Sequence, residues 1–199
     1  MKYPLNRVIV YFIEDPCLEL EDLKHILLYS LIVSYGIRVD TTLYVYSINE
    51  NLTYVFRGEE LRHLHAQEKA LEGFARAIFC SKKILPGVSI FSGKHFLENL
   101  LSTELNNLEH LVFISANKSD IKLNPCEPIR QAIILPNYKT QTNSVWKHTY
   151  LRMNNIVYLK TQSPVYMITI AHYLLDVLYG GWVRRKSKIE WQKRADKEY

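Results

Sequence analysis

Short apolar runs alternate with segments of helical periodicity along most of this chain of 199 residues. Strand-like runs occur at Arg7–Ile13, Thr42–Ile48, Thr53–Phe56, Val88–Phe91, His110–Ser115, Gln131–Leu135 and Ile156–Leu159. Helices are predicted over Glu19–Tyr35 with Gly36 as the stop, over Ala66–Cys80, over His95–Leu105, from a cap at Asn143 or Ser144 to Met153, and over Val165–Leu178. This alternation predicts an α/β domain with a mainly parallel sheet and helices on both faces.

The half of the chain in which such a domain would hold a nucleotide-type cofactor lacks glycine. No glycine occurs between Lys94 and Tyr179. Open α/β sheets bind ligands beyond the carboxyl ends of their strands, and glycine is the residue that lets the backbone approach a ligand closely there. Whether this protein catalyses a reaction is therefore the main question that its sequence raises.

The composition is that of an ordinary globular protein, with 48% hydrophobic and 23% charged residues. Three cysteines, Cys17, Cys80 and Cys126, lie far apart in the sequence and form no Cys-x-x-Cys pair. Their odd number and wide spacing favour neither a disulfide framework nor a zinc site. We therefore expect free, buried thiols in a reducing cytoplasm.

No targeting or membrane segment is predicted. Residues Met1–Asn6 lead almost directly into the first strand and lack the hydrophobic region and cleavage site of a signal peptide. The most apolar segment, Val165–Leu178, is interrupted by Thr169, His172 and Asp176 and is short for a membrane span. A cytoplasmic protein without a membrane partner is expected.

The positive charge of the chain is concentrated at its C-terminal end. Residues 182–199 hold seven Lys or Arg and three Asp or Glu, so of the net charge of +5 only +1 remains for residues 1–181. We predict a body over residues 1–181 and a basic extension over residues 182–199, with the boundary at Gly180–Gly181. A basic extension favours a polyanionic partner, although a solvated, solubilising tail has the same composition.

The predicted helix Val165–Leu178 is apolar nearly all round. A helix without a polar face is buried on several sides. One side should pack on the sheet, and another should be covered by a second copy of the chain or by a different protein.

Several motifs, in this order, resemble those of the SPOUT-fold pseudouridine methyltransferases, most nearly the archaeal enzymes that act on tRNA and on small-subunit rRNA. They are Val33-Ser34-Tyr35-Gly36-Ile37-Arg38 before a strand, Phe56-Arg57-Gly58-Glu59-Glu60-Leu61 before a helix, Leu85-Pro86-Gly87-Val88-Ser89-Ile90, and the strand, loop, strand and apolar helix over 132–176. Each motif is weak alone, and the resemblance rests on their order and spacing over residues 5–178.

The resemblance implies a trefoil-knotted C-terminal half, one of the rare exceptions to unknotted chains. It also implies a dimer built on the knot and S-adenosylmethionine held by the backbone of the knot loops. Residues at or beside those loops in this chain would form the cofactor site. They are Leu135, Pro136, Asn137, Thr140, Leu159, Thr161 and Ser163.

The sequence departs from the family pattern in those same loops. Where the family has a Gly-Asp pair and a further glycine, this chain has Pro136-Asn137-Tyr138-Lys139-Thr140. Proline has no backbone N–H to donate. An Arg near the start of the first helix, which the family uses toward RNA, is here Glu19, whose charge is opposite to that of a phosphate contact.

Candidates for chemistry are few. Asp15, which follows the first strand, is the best-placed carboxylate for a general base, but a polar loop or capping role is the more common use of such a residue. No nucleophile triad, phosphate-binding loop or metal-ligand cluster is evident, so no catalytic or metal-binding residue is assigned.

Candidates for RNA binding are basic or aromatic. In the body they are Arg57, Arg62, His63, Lys82 and Lys83, and in the extension they are Trp182, Arg184, Arg185, Lys186, Lys188, Trp191, Lys193 and Arg194. Cations contact phosphates, and indole rings stack on bases. A helical extension would place Arg184, Lys188 and Trp191 near one face. The alternative is a helix that packs on the body through its two tryptophans.

The sequence is compatible with three functions. The first is an RNA-binding protein that has lost methyl transfer, binds no cofactor and serves as a structural component of the ribosome, in contact with rRNA and ribosomal proteins. The second is an active S-adenosylmethionine-dependent pseudouridine methyltransferase acting on tRNA or rRNA. The third is an interaction protein whose tail binds another protein.

Overall fold

Ten strands and three helices are found in the described part of the chain, in a computed structural model of the protein. The structure describes residues 5–33, 36–62, 64–93, 110–116, 131–136, 156–161, 163–179 and 183–185. The helices are α1 (Leu20–Leu31), α2 (Glu68–Phe79) and α3 (Pro164–Tyr179). The strands are β1 (Asn6–Ile13), β2 (Ile32–Val33), β3 (Gly36–Arg38), β4 (Thr41–Ser47), β5 (Leu52–Arg57), β6 (Val88–Ser92), β7 (His110–Ala116), β8 (Gln131–Leu135), β9 (Ile156–Lys160) and β10 (Val183–Arg185).

Seven of these strands form one sheet, in the order β6-β5-β4-β1-β8-β7-β9. The four pairs from β4 to β9 are parallel, whereas β5 and β6 continue the sheet as antiparallel strands. The prediction of a mainly parallel α/β sheet is confirmed, and all seven strands predicted for the sheet lie within one residue of their expected bounds. The predicted helices His95–Leu105 and 143–153, and the loops on which a trefoil knot depends, lie outside the described residues.

The central strands of the sheet are buried on both faces. Alternate residues of β1, such as Ile9 and Tyr11, point into a core formed with the apolar sides of α1, α2 and α3. The residues between them, such as Val8 and Val10, belong to a second cluster with the opposite faces of β7 and β8. A strand buried on both faces has no polar alternation, which explains the continuous apolar sequence of Arg7–Ile13.

A small second sheet corrects the predicted end of the first helix. Helix α1 ends at Leu31, and Ile32 and Val33 form β2, which pairs antiparallel with β3. Gly36, predicted as a helix stop, pairs with Val33 as the first residue of β3. The β-branched side chains of Ile32 and Val33 favour a strand over another turn of helix. The third strand of this sheet is β10, which comes from the basic extension.

Gly58 allows the main sheet and the small sheet to meet. Its N–H donates to the Thr41 carbonyl at 2.9 Å, and a Cβ at this position would overlap the carbonyl oxygen of Arg38. Because the carbonyl oxygens of Arg38 and Thr41 belong to the backbone, neither can move aside as a side chain would. Gly73 differs, since it lies on an exposed turn of α2 and a Cβ there would meet no atom within 4 Å.

Changing Gly58 to alanine should therefore lower the free energy of unfolding, by about 1–3 kcal/mol for a well-packed site. Gly73→Ala, the matched control, should raise it by about 0.5–1 kcal/mol because alanine favours a helix over the unfolded chain. Urea unfolding followed by circular dichroism measures both. Two variants of equal stability would contradict the contact between the sheets.

The prediction of free, buried cysteines is wrong for two of the three. Cys17 and Cys80 form a disulfide with a Cα–Cα distance of 5.2 Å, and Cys17 lies on the surface. The bond joins the β1–α1 connection to the residue that follows α2, segments 63 residues apart in sequence. Cysteine spacing did not indicate the pair because only the packing of α1 against α2 brings these segments together. Free thiols therefore no longer support a reducing compartment. Cys126 lies outside the described residues.

Candidate functional site

Five parallel strands end at one edge of the main sheet, the edge where open α/β sheets bind ligands. The described residues at this edge come from the β1–α1 connection, the β4–β5 turn, the end of β8 and the β9–α3 connection. We call it the carboxyl edge, and the opposite edge, where β1, β4, β8, β7 and β9 begin, the amino edge.

Two acidic residues of the β1–α1 connection close that connection on itself. The Asp15 carboxylate accepts the N–H groups of Cys17 and Leu18 at 2.9 and 3.2 Å. The Glu19 carboxylate accepts the N–H groups of Glu14 and Asp15 at 3.2 and 3.1 Å. Asp15 is thus a loop-capping residue, as its more common use predicted. Glu19 accepts two backbone N–H groups of the same connection.

The predicted cofactor residues that the structure describes are engaged in the fold. Leu135 and Leu159 are buried, and Pro136 follows β8 as a buried residue without an N–H. The Thr161 hydroxyl accepts the Ser163 N–H at 3.1 Å and donates to the Ser163 carbonyl at 3.2 Å. Ser163 in turn caps α3 through the Tyr166 N–H. Asn137 and Thr140 lie outside the described residues.

Lys82, a predicted RNA contact, is held at the carboxyl edge. Its ammonium donates to the Glu50 carboxylate, to the Tyr54 hydroxyl and, at 2.7 Å, to the Phe79 carbonyl. The Tyr54 hydroxyl donates to Glu50 at 2.5 Å, and burial together with that carboxylate raises the pKa of Tyr54. The charge of Lys82 is therefore compensated by Glu50, whereas the neighbouring Lys83 is exposed.

Arg57 and Arg62 lie at the other end of the same strands. Arg57 ends β5 in register with Thr42, near the start of β4. It donates to the Ser89 hydroxyl at 3.1 Å and pairs with Glu60 at 3.8 Å, and Arg62 is exposed. The six residues of β5 span about 17 Å, so Arg57 lies at the end of the strand away from the turn in which Glu50 holds Lys82. The predicted basic residues of the body therefore form two groups, and His63 lies outside the described residues.

The basic extension begins as a strand. Val183, Arg184 and Arg185 pair antiparallel with Arg38, Ile37 and Gly36. These three residues are not part of the helix considered for the extension, because the extended edge of β3 supplies backbone partners that a helix could not use. The other predicted RNA contacts of the extension lie outside the described residues. They are Trp182, Lys186, Lys188, Trp191, Lys193 and Arg194.

A buried ionic network lies between the amino edge and α3, and sequence reasoning missed it. The Arg7 side chain is fully buried and contacts Asp40 at 3.4 Å and Asp176 at 2.6 Å. Arg38 donates to both oxygens of Asp176, at 3.1 and 2.7 Å. Burial pushes the pKa of Asp176 upward, but hydrogen bonds from the two arginines outweigh it and hold that pKa below its ordinary value.

His172 lies in the same network as a neutral side chain. Arg7 donates to its Nδ1 at 2.9 Å, so its Nε2 carries the proton and donates to the Ser30 carbonyl at 3.2 Å. Burial, followed by the charges of Arg38 and Arg7, holds the pKa of His172 well below its ordinary value. The signal for this network was present in the sequence, since His172 and Asp176 lie one turn apart in an otherwise apolar helix.

Acidification should destabilise the protein through His172. The unfolded chain takes up a proton near the ordinary pKa of about 6.5 and the folded chain does not, so the free energy of unfolding falls by at most about 1.4 kcal/mol per pH unit below that value. Asp176 contributes in the same direction only near pH 4 and below. Urea midpoints at several pH values measure the slope. His172→Gln should remove this part of the slope, whereas His25→Gln, on the exposed face of α1, should leave it.

The described residues contain neither a membrane-spanning helix nor a metal-binding group. None of the helices there has the length and apolarity needed to cross a bilayer. No group of three or more His, Cys, Asp or Glu side chains in the described ranges is arranged to hold a metal ion.

Comparison with known proteins finds similarity at the level of structure and none at the level of sequence. No protein family and no curated protein matches the sequence. Among solved structures, the chain is similar to the crystal structure of Archaeoglobus fulgidus Nep1 bound to S-adenosylhomocysteine, at 10% identity and a TM-score of 0.47, over 88% of this chain and 99% of that chain. A likeness of this size leaves the family of the chain undecided.

Proposed function

We propose that this protein is a SPOUT-like RNA-binding protein that has lost methyl transfer. The proposal of loss rests on the end of β8, where the buried Pro136 offers no N–H to a ligand at the carboxyl edge. The adjoining β9–α3 connection supports it, because Thr161 and Ser163 satisfy each other. Both observations support a site that no longer holds S-adenosylmethionine.

RNA is the proposed partner because the excess positive charge lies on the extension, which is joined to the body through β10. Cations that neutralise phosphates release condensed counterions, which makes binding strong at low salt and weak at high salt. Ribosomal RNA, with the protein as a structural component of the cytoplasmic ribosome, is the partner that the sequence resemblance favours.

Calorimetry and binding assays test the two halves of the proposal. S-adenosylmethionine should show no heat of binding at sub-millimolar concentrations, and a labelled hairpin RNA should bind with a steep salt dependence. Cosedimentation with ribosomal subunits in a sucrose gradient tests the ribosomal assignment. Stoichiometric binding of the cofactor would favour the active methyltransferase instead.

We also propose that a second copy or another protein covers the outer face of α3. Tyr166, Tyr173 and Val177 are each more than half exposed on that face. The helix has one acidic residue, Asp176, and no Lys or Arg, and Asp176 points inward to Arg7 and Arg38. Light scattering should show an assembly that Tyr173→Glu weakens. A monomer whose α3 is exposed in hydrogen-exchange measurements would refute the proposal that this face is covered.

A further inference from the structure

The extension reaches the body at the amino edge. Strand β10 lies on β3, with Arg184 opposite Ile37 and Arg185 opposite Gly36. Paired strands lie about 5 Å apart, so the backbone of these two arginines is fixed close to Arg38. The first cations of the extension are thus placed by backbone pairing.

Gly58 brings the cations at the end of β5 to the same edge. It packs against the Arg38 carbonyl and donates to the Thr41 carbonyl, so the end of β5 adjoins β3. Arg57 precedes Gly58, and Arg62 follows it by four residues. Segments more than 120 residues apart in the sequence therefore meet at the amino edge.

Arg57 and Arg62 differ from the buried pair of arginines beside them. Arg7 and Arg38 are occupied by Asp40 and Asp176 inside the protein. Arg62 is exposed, and no carboxylate among the described residues forms an ion pair with it. Arg57 is partly exposed and its contact with Glu60 is long, at 3.8 Å. Glu59 and Glu60 lie close to Arg57 and Arg62 in the sequence, and the backbone pairing of β10 brings two further arginines to this edge.

The carboxyl edge has the opposite charge in its described part beside β1 and β4. Glu14, Asp15 and Glu19 lie in the β1–α1 connection and Glu50 in the β4–β5 turn. Lys82 and the neighbouring Lys83 are the cations beside them, and Glu50 holds Lys82. Phosphates would be repelled there, because like charges raise the energy of an encounter.

We propose that RNA binds the amino edge, through phosphate contacts from Arg57, Arg62, Arg184 and Arg185, which we call the arginine edge. The inference rests on the proposed RNA-binding function and adds where the RNA lies, on the side of the sheet opposite to the carboxyl edge. The β2–β3–β10 sheet is then the element that joins the extension and the body into one binding surface.

Two triple variants of equal net charge test this proposal. Arg62→Gln, Arg184→Gln and Arg185→Gln remove three charges from the arginine edge. Lys69→Gln, Arg76→Gln and Lys160→Gln remove three exposed charges from α2 and the end of β9. Fluorescence anisotropy with a labelled hairpin RNA and a uridine homopolymer, over a range of salt concentrations, gives affinity and salt slope.

The arginine-edge variant should bind RNA at least about tenfold more weakly at low salt, with a log–log salt slope reduced by about 2, since each lost phosphate contact removes about 0.7. The control should stay close to the wild type. Equal losses in both variants would overturn the arginine edge while leaving RNA binding intact. Absence of RNA binding by the wild type would refute the proposed function itself. Unchanged circular dichroism shows that both variants fold.

Discussion

Replacing Cys17 and Cys80 with serine should lower the free energy of unfolding by about 4 kcal/mol, since the bond closes a loop of roughly 63 residues in the unfolded chain. Cross-linking removes conformational freedom from the unfolded state, and the effect grows slowly with loop length. Urea unfolding under oxidising conditions, followed by circular dichroism, measures the difference between the wild type and the double variant.

Reductant supplies the control for this experiment. Dithiothreitol should destabilise the wild type to the level of the double variant and leave the double variant unchanged. Alkylation of the unfolded, unreduced wild type, followed by mass spectrometry, should find Cys17 and Cys80 protected. If both cysteines are alkylated without reduction, the bond does not form under those conditions and the stability difference should vanish with it.

Replacing Arg7 with methionine should destabilise the protein by about 3–5 kcal/mol, the usual cost of removing one partner from a buried ion pair. Arg38 would still pair with Asp176, but the buried Asp40 carboxylate would lose the cation beside it. Methionine fills much of the same volume, so the effect reports charge more than cavity formation. Chemical denaturation near neutral pH is the measurement.

Two further variants separate charge from packing at this site. Arg7→Lys keeps the charge but not the several donors of the guanidinium, so its stability should lie between those of the wild type and Arg7→Met. Arg76→Met removes an arginine from an exposed ion pair with Glu72 and should change stability little. Equal stability of Arg7→Met and Arg76→Met would show that the buried network contributes nothing.

The strands could be predicted because each carries its own signal. Residues 8–13 and 132–135 are continuous apolar runs of the length of a buried strand, and the structure places them side by side in β1 and β8. Helix α2 was equally evident from the periodicity of Leu71, Phe74 and Ile78. The end of α1 was missed because apolar residues continue past Leu31 into β2, so periodicity alone did not mark the change from helix to strand.

The candidate sites were predicted less well, since they depend on contacts between distant segments. The sequence indicated Asp15, Glu19 and Lys82 as notable residues, but only the structure gives each of them a partner in the loop or turn that it holds. Arg57 and Lys82 were both candidates for RNA binding, and they lie at opposite edges of the sheet. Charge can be counted from a sequence, whereas its compensation depends on which carboxylate lies nearby.

The sequence by itself determined the class of fold, the missing glycines of the loops after β8 and β9, and the basic character of the extension. These are properties of single segments, written in their composition and periodicity. The tertiary structure alone decided the Cys17–Cys80 bond, the network around Arg7 and the pairing of β10 with β3. Each of these joins segments at least 63 residues apart, and their meeting depends on how helices and strands pack, which local patterns do not encode.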